Sequence, residues 1–351
     1  MSNADEYSGH SIWMSELVQW TGSILPIRTV SAALFTVGLI PLILTAIFFT
    51  LLDGAYGTYF VFIQFLAASI AVFGPILIWH YDENVFPNFI DEVSDVVSNQ
   101  ENLIKVVDKY ERFFSERYWI ISAIWTILIT SALVANIGFF ERVGVTDVFD
   151  PAFLVYILFA MWWSIITGIG LHGALTTILC IRAVGNLELE IDPLHHDGLG
   201  GLSTIGYFSI RATLMNSIGS FALPIGFAIA SAGQYQTVVY AAVAAYIGFI
   251  LISFIYPTLY VNRRAQEVRD DVLKKKRQQM QDLKDDASVG SAGGELSELE
   301  TQLKIRTLRD DFHEYKSINL YPLSISILTR LASSILLPIG FTLLETYVIS
   351  G

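Results

Sequence analysis

Charge is the first thing this 351-residue chain is short of. Only 15% of its residues are charged and 53% are hydrophobic, whereas a water-soluble domain carries about a quarter charged residues. Basic charge is scarcer still, with 21 Lys and Arg against 33 Asp and Glu and a net charge of −12. That excludes nucleic acid as a partner, because neutralising phosphates takes an excess of cations. Cysteine is almost absent. The single Cys180 can form neither an intrachain disulfide nor a multi-cysteine zinc site. H-E-x-x-H, G-x-S-x-G and a pair of aspartates within the apolar runs are all missing, which removes the usual membrane-protease chemistries. No cleavable signal stands out. Residues 1–29 read instead as an interfacial helix, with Trp13 and Trp20 among Asp5, Glu6 and Glu16.

What the chain has in quantity is long apolar runs. A bilayer core about 30 Å thick takes about 20 apolar residues at about 1.5 Å each. Seven runs reach that length: 30–51, 58–79, 118–140, 152–182, 206–232, 237–262 and 320–349. The expectation is an all-α polytopic integral membrane bundle of about seven spans. Orientation follows from the basic residues, which favour the cytoplasmic side. With the N-terminus inside, the inner segments hold Arg28, then Lys105, Lys109, Arg112 and Arg117, then Arg182 and Arg211, then twelve more from Arg263 to Lys316. The outer loops hold Arg142 alone. The chain is therefore expected to be a multi-pass protein of the cell membrane with a cytoplasmic N-terminus. Arg330 interrupts the last run and would cost about 2.5–3.5 kcal/mol at mid-bilayer. Either it lies at the inner interface or this segment is re-entrant.

Four regions result: the interfacial helix 1–29, a six-span core 30–262, a cytoplasmic helical hairpin 263–316, and a final span or re-entrant helix 317–351. Within the core, 80–117 reads as one amphipathic helix, since Val93, Val96, Val97, Ile104, Val107 and Phe114 recur at helical spacing. The hairpin arms flank "ASVGSAGG", a flexible tip. Leu296, Leu299 and Leu303 give only a short heptad seam, so the hairpin either closes on itself or offers a surface to a cytoplasmic protein. Small-residue faces on the spans suit closure of the bundle or pairing into a homo-oligomer. "GLIP" at 38–41, "FGPI" at 73–76 and "LPIG" at 223–226 and 337–340 place proline beside glycine in four spans. Proline removes a backbone donor and kinks a helix. Broken helices of this kind either pack closely or expose backbone to ions, as in transporters.

"GIGLHG" at 168–173 matches a dinucleotide fingerprint only in its letters, because no soluble βαβ unit surrounds it. Its residues belong to a stripe spaced by four: Ser164, Gly168, His172, Thr176 and Cys180. His172 within a span is either a neutral imidazole bonded to a neighbouring helix or a proton- or ion-responsive group.

The second candidate is the loop 183–205, with Asp192, His195, His196, Asp197, Gly198, Gly200 and Gly201. "NLELEID" alternates apolar and acidic residues and reads as extended. Ser203 or Thr204 is placed to cap the fifth span. "GLGGLS" lacks the lysine of a Walker loop, although its backbone amides, with Arg211 or Arg182 near, could take an anion. In extended chain His195 and Asp197 share a face. Two ligands are too few for zinc, and His80 and His313, on the same side of the membrane, are the residues that would complete a divalent-metal site. No other cofactor is expected. The plain alternative is a polar turn that organises the inner helix ends.

"PLHHDGLGGL", 193–202, resembles the HPD-x-x-GGL loop of a broad group of uncharacterised prokaryotic multi-span membrane proteins, in which the loop likewise joins two spans. His196 departs from that pattern, which usually has proline there. The resemblance implies that His195, Asp197 and the glycines form the family's core, and it implies no activity. Three functions follow from the residues: a channel or transporter for an ion or small solute with the His/Asp loop at its inner mouth, a membrane-anchored scaffold acting through its cytoplasmic helices, or a metal-dependent membrane enzyme. The placement is testable. In a Cys180→Ser background, a His195→Cys thiol should react with a membrane-impermeant maleimide only after permeabilisation, and labelling of intact cells would invert the topology.

Overall fold

The computed structural model describes residues 11–25, 27–52, 56–189, 200–231, 236–289 and 295–317, with Leu336 and Gly340. These build helices, and no strand forms among the described residues. In order they are α1 (Trp13–Ile24), α2 (Thr29–Phe35), α3 (Leu39–Leu51), α4 (Thr58–His80), α5 (Phe86–Ser94), α6 (Gln100–Ala135), α7 (Ile137–Glu141), α8 (Pro151–Val184), α9 (Ser203–Ser217), α10 (Leu223–Ser231), α11 (Gln236–Val289) and α12 (Glu295–Ser317). Six segments are long and apolar enough to cross a membrane: Thr29–Leu51, Thr58–Ser94, Gln100–Ala135, Pro151–Val184, Ser203–Ala230 and Tyr240–Asp285. They contain the expected runs 30–51, 58–79 and 152–182 and overlap most of 118–140, 206–232 and 237–262. The seventh, 320–349, lies outside the described residues apart from Leu336 and Gly340.

The most extensive packing is between α6 and α8. The stripe spaced by four on α8 is buried along its whole length, and Gly168 shows why small residues stand there. A Cβ on Gly168 would lie 2.7 Å from the Ser122 Cα and 2.9 Å from its Oγ, so the two helices touch backbone to side chain. Trp125 Nε1 donates to Thr167 Oγ1 across the same seam at 2.9 Å. Gly74 on α4 plays a similar part, since its missing Cβ would fall 2.2 Å from Ile166 Cγ2. Asp150 starts α8, accepting from the Ala152 and Thr146 amides at 2.8 Å each. The Thr146 amide, then that of Ala152, holds its carboxyl below the ordinary carboxylate range.

Two buried clusters fill the bundle, one at each end. Phe48, Phe60, Phe140, Phe153 and Tyr156 belong to one; Tyr81, Phe86, Phe89, Phe114 and Phe208 belong to the other. Trp162 packs against both.

Prolines mark breaks unevenly. A three-residue turn at 36–38 separates α2 from α3, with Pro41 in the first turn beyond it. The fifth apolar segment breaks into a 3₁₀ turn, Ile218–Ala222, just before Pro224. Pro75 and Pro257 lie inside continuous helices.

Two expectations need correction. Residues 80–117 are not one helix: a π-helical turn (Tyr81–Val85) leads into α5, the chain breaks at 95–99, and α6 runs unbroken from Gln100 into the apolar stretch. The break is set by Asn99, whose side chain accepts from the Asn102 amide at 3.0 Å and restarts the helix. Nor does a hydroxyl cap α9. Its N-cap is Leu202, without a side-chain cap bond, and Ser203 is the first helical residue. Leu202 is fully buried and belongs to the core cluster that includes Ile205 and Phe208.

Gly74→Ala should lower stability in detergent by about 1–3 kcal/mol through overpacking, and adding Ile166→Ala should restore most of it. A double-mutant cycle without coupling would show that this contact does not hold α4 to α8.

Candidate functional site

His172 lies about two thirds along α8 and is 1% exposed. Its Nε2 is 2.8 Å from the Phe113 carbonyl of α6. A carbonyl can only accept, so Nε2 carries the proton and Nδ1 is the free acceptor. Nδ1 is buried and has no partner among the described residues. The imidazole stacks on Phe114 with centroids 6.1 Å apart and tilts over Phe113 at 4.7 Å.

From Phe114 a ring path continues. Tyr81, at the head of the π-helical turn, lies 5.4 Å from Phe114 and 6.1 Å from Phe208, and Phe208 stacks on Phe89 at 4.0 Å. Thr177 donates to the Gly173 carbonyl, which leaves Tyr81 as donor to Thr177 Oγ1 at 2.7 Å. One residue on, the Asp82 carboxylate accepts from the Ile12 amide at 3.1 Å, at the N-terminus of α1. A π-helical turn changes the register of its side chains by one residue. Here successive residues reach α8 and α1. Both were missed in the sequence reading, because "YDEN" stands at the end of an apolar run and resembles an ordinary exit to water.

The loop after α8 is fixed at its two ends. Leu189 forms an antiparallel bridge with Val97, and Ser98 N donates to the Glu188 carbonyl at 3.0 Å, whereas Asn186 and Leu187 are in the turn that ends α8 and residues 190–192 lie outside the described residues. At the far end Gly200 and Gly201 have φ of 69° and 90°, a left-handed conformation that favours glycine. Asp192, His195, His196, Asp197 and Gly198 lie outside the described residues. His80 and His313 are both exposed, and among the described residues no three His, Cys, Asp or Glu side chains gather as a metal cluster. Arg211 is exposed on α9 between buried Ile210 and Ala212, so it does not join the buried His172. Arg330 lies outside the described residues.

A second polar position went unnoticed in the sequence. Gln64, on the core face of α4 among Phe60, Ile63, Ala67 and Ala68, is 0% exposed. Among the described residues neither its carbonyl oxygen nor its amide nitrogen has a partner. The 3₁₀ segment of the fifth span packs along α4. At that break Tyr246 of α11 donates to the Asn216 carbonyl at 2.7 Å.

No family model matches the chain, and comparison with curated proteins and with solved structures finds no match. The reading rests on the geometry alone.

Asp82→Ala should weaken the docking of α1 by about 1 kcal/mol through loss of the accepted bond. Hydrogen exchange should then rise across residues 12–24 while α6 and α8 stay protected. Unchanged exchange in α1 would show that packing alone holds it.

Proposed function

We propose that the chain is a multi-pass protein of the cell membrane, with about seven spans and a cytoplasmic N-terminus and hairpin, that moves an ion or small solute across the bilayer. One observation carries this reading. A broken span lies against a helix whose core face holds a fully buried, unpaired amide. Leaving buried polar groups unpaired costs about 1–3 kcal/mol each, and polar groups at membrane depth are usually retained for use. Gln64 offers a donor and an acceptor, and His172 Nδ1 an acceptor, in an interior whose described buried polar side chains are all uncharged. The loop carrying His195 and Asp197 is assigned to the inner mouth of the path.

A second reading is favoured by α11, whose 54 residues run from the sixth span into the hairpin without interruption, about 80 Å of continuous helix. Lys276 and Asp311 pair at 2.7 Å between α11 and α12, and Tyr315 packs on the end cluster. A rigid rod that links a bundle to a hairpin suits a membrane-anchored scaffold or signalling protein.

Flux into proteoliposomes decides between them. Gln64→Leu should lower uptake at least fivefold while thermal stability holds or rises, because leucine removes the unpaired groups. No uptake above empty vesicles across a pH and ion screen would overturn the transport reading. If deletion of residues 266–314 abolishes binding of a cytoplasmic partner and leaves flux intact, the hairpin has a separate role.

A further inference from the structure

An open groove of about 1110 Å³ lies between the end of α1 and α2. The two helices meet at Gly22, where a Cβ would stand 2.9 Å from Thr29 Oγ1. Six residues define its chemistry. Ser23, Arg28 and Ser31 supply polar groups, while Ile24, Ile27 and Phe35 supply apolar surface.

Arg28 is the only Lys or Arg among residues 1–104. Among the described residues no carboxylate pairs with it, and none of the groove's lining residues is acidic. The Ser23 hydroxyl donates to the Trp20 carbonyl at 2.7 Å, which leaves the Arg28 guanidinium, with Ser31 beside it, as the donor set, and its planar fork matches phosphate oxygens. The apolar half distinguishes a lipid from a soluble anion. Ile24 is 56% and Phe35 65% exposed, which is an expensive way to surround a water-borne phosphate and a natural one to hold the start of an acyl chain.

The setting agrees. α1 buries Met14, Val18 and Thr21 and leaves Trp20 60% exposed on its opposite side, the pattern of a helix lying at headgroup level. Chain direction brings this helix straight into the first apolar segment, so the groove sits where headgroups meet acyl chains.

We propose that this groove seats one anionic phospholipid of the inner leaflet, with Arg28 on the headgroup phosphate and Ile24, Ile27 and Phe35 against the acyl chain. The assignment rests on the membrane reading above. Its test is the full chain in nanodiscs of phosphatidylcholine containing one tenth phosphatidylglycerol, followed by release and native mass spectrometry. One phosphatidylglycerol should remain per chain, retained at least tenfold over phosphatidylcholine. Arg28→Gln should abolish that preference, Arg28→Lys should keep part of it, and unfolding in phosphatidylcholine alone should not change. Equal retention of the two lipids, or an Arg28→Gln chain that still selects phosphatidylglycerol, would overturn the site. Displacement of the lipid by millimolar inorganic phosphate would reassign the groove to a soluble anion and also overturn it. A chain that stays out of the nanodisc would overturn this site together with the membrane reading, whereas integration without lipid preference would overturn the site alone.

Discussion

The approach of α6 to α8 at Gly168 and Ser122 sets the geometry of everything around it. In an apolar environment helices gain little from excluding water, and they associate by close packing and by the few polar bonds they can make across the contact. Gly168 lets α6 come close enough for Trp125 to reach Thr167 and for the His172 ring to reach the Phe113 carbonyl. Once α8 is seated, Thr177 receives Tyr81, and the π-helical turn that presents Tyr81 also presents Asp82 to α1. The N-terminal helix and the second apolar segment are therefore tied, through short bonds, to the helix that the glycine contact seats.

Most hydroxyls inside the bundle make no demand on their neighbours. Ser164, Thr176, Thr177, Thr213 and Ser217 donate to carbonyls three or four residues earlier on their own helices, the usual way an apolar helix accommodates serine and threonine. Gln64 and the Nδ1 of His172 have no such outlet. A glutamine is too long to fold back on its own carbonyl, and the second nitrogen of an imidazole needs a donor that a helix backbone cannot supply. Among the described residues they share this with a few hydroxyls and indoles, such as Ser122, Thr126 and Trp163, but Gln64 is the one that leaves both a donor atom and an acceptor atom unpaired.

The positions of six apolar segments were legible because their length and composition are set by simple sums. The spacing by four of Ser164, Gly168, His172, Thr176 and Cys180 likewise reported a packed face. The break at 95–99 was not legible, because the apolar residues on either side keep nearly the same helical phase and Asn99 reads as an ordinary polar residue until its side chain meets the Asn102 amide. Tyr81 and Asp82 were invisible for a different reason. Their importance comes from a π-helical turn and from partners about 70 to 96 residues away, and neither leaves a local pattern. Gln64 is a single letter in an apolar run, and only its burial separates it from a surface glutamine. The groove at Arg28 depends on the angle between two helices, which hydropathy does not encode.

The fifth and sixth segments respond oppositely to proline, and the contrast locates where the bundle can change shape. Pro257 lies inside α11 and the helix continues. Pro224 follows a stretch already rewound as 3₁₀, with Gly219 so near Tyr246 that a Cβ there would stand 2.9 Å from the hydroxyl. The two segments are joined along α9 up to the break. Ser209 and Thr213 meet Ser253, at 3.3 and 3.4 Å, toward the start of α9, and Tyr246 holds Asn216 at the break itself. A 3₁₀ turn bonds less favourably than an α-turn, so its exchange between the two forms takes less energy than bending an intact helix. Any bending of the fifth segment is therefore expected to begin in residues 218–222, where it packs along α4, with the continuous α11 beside it.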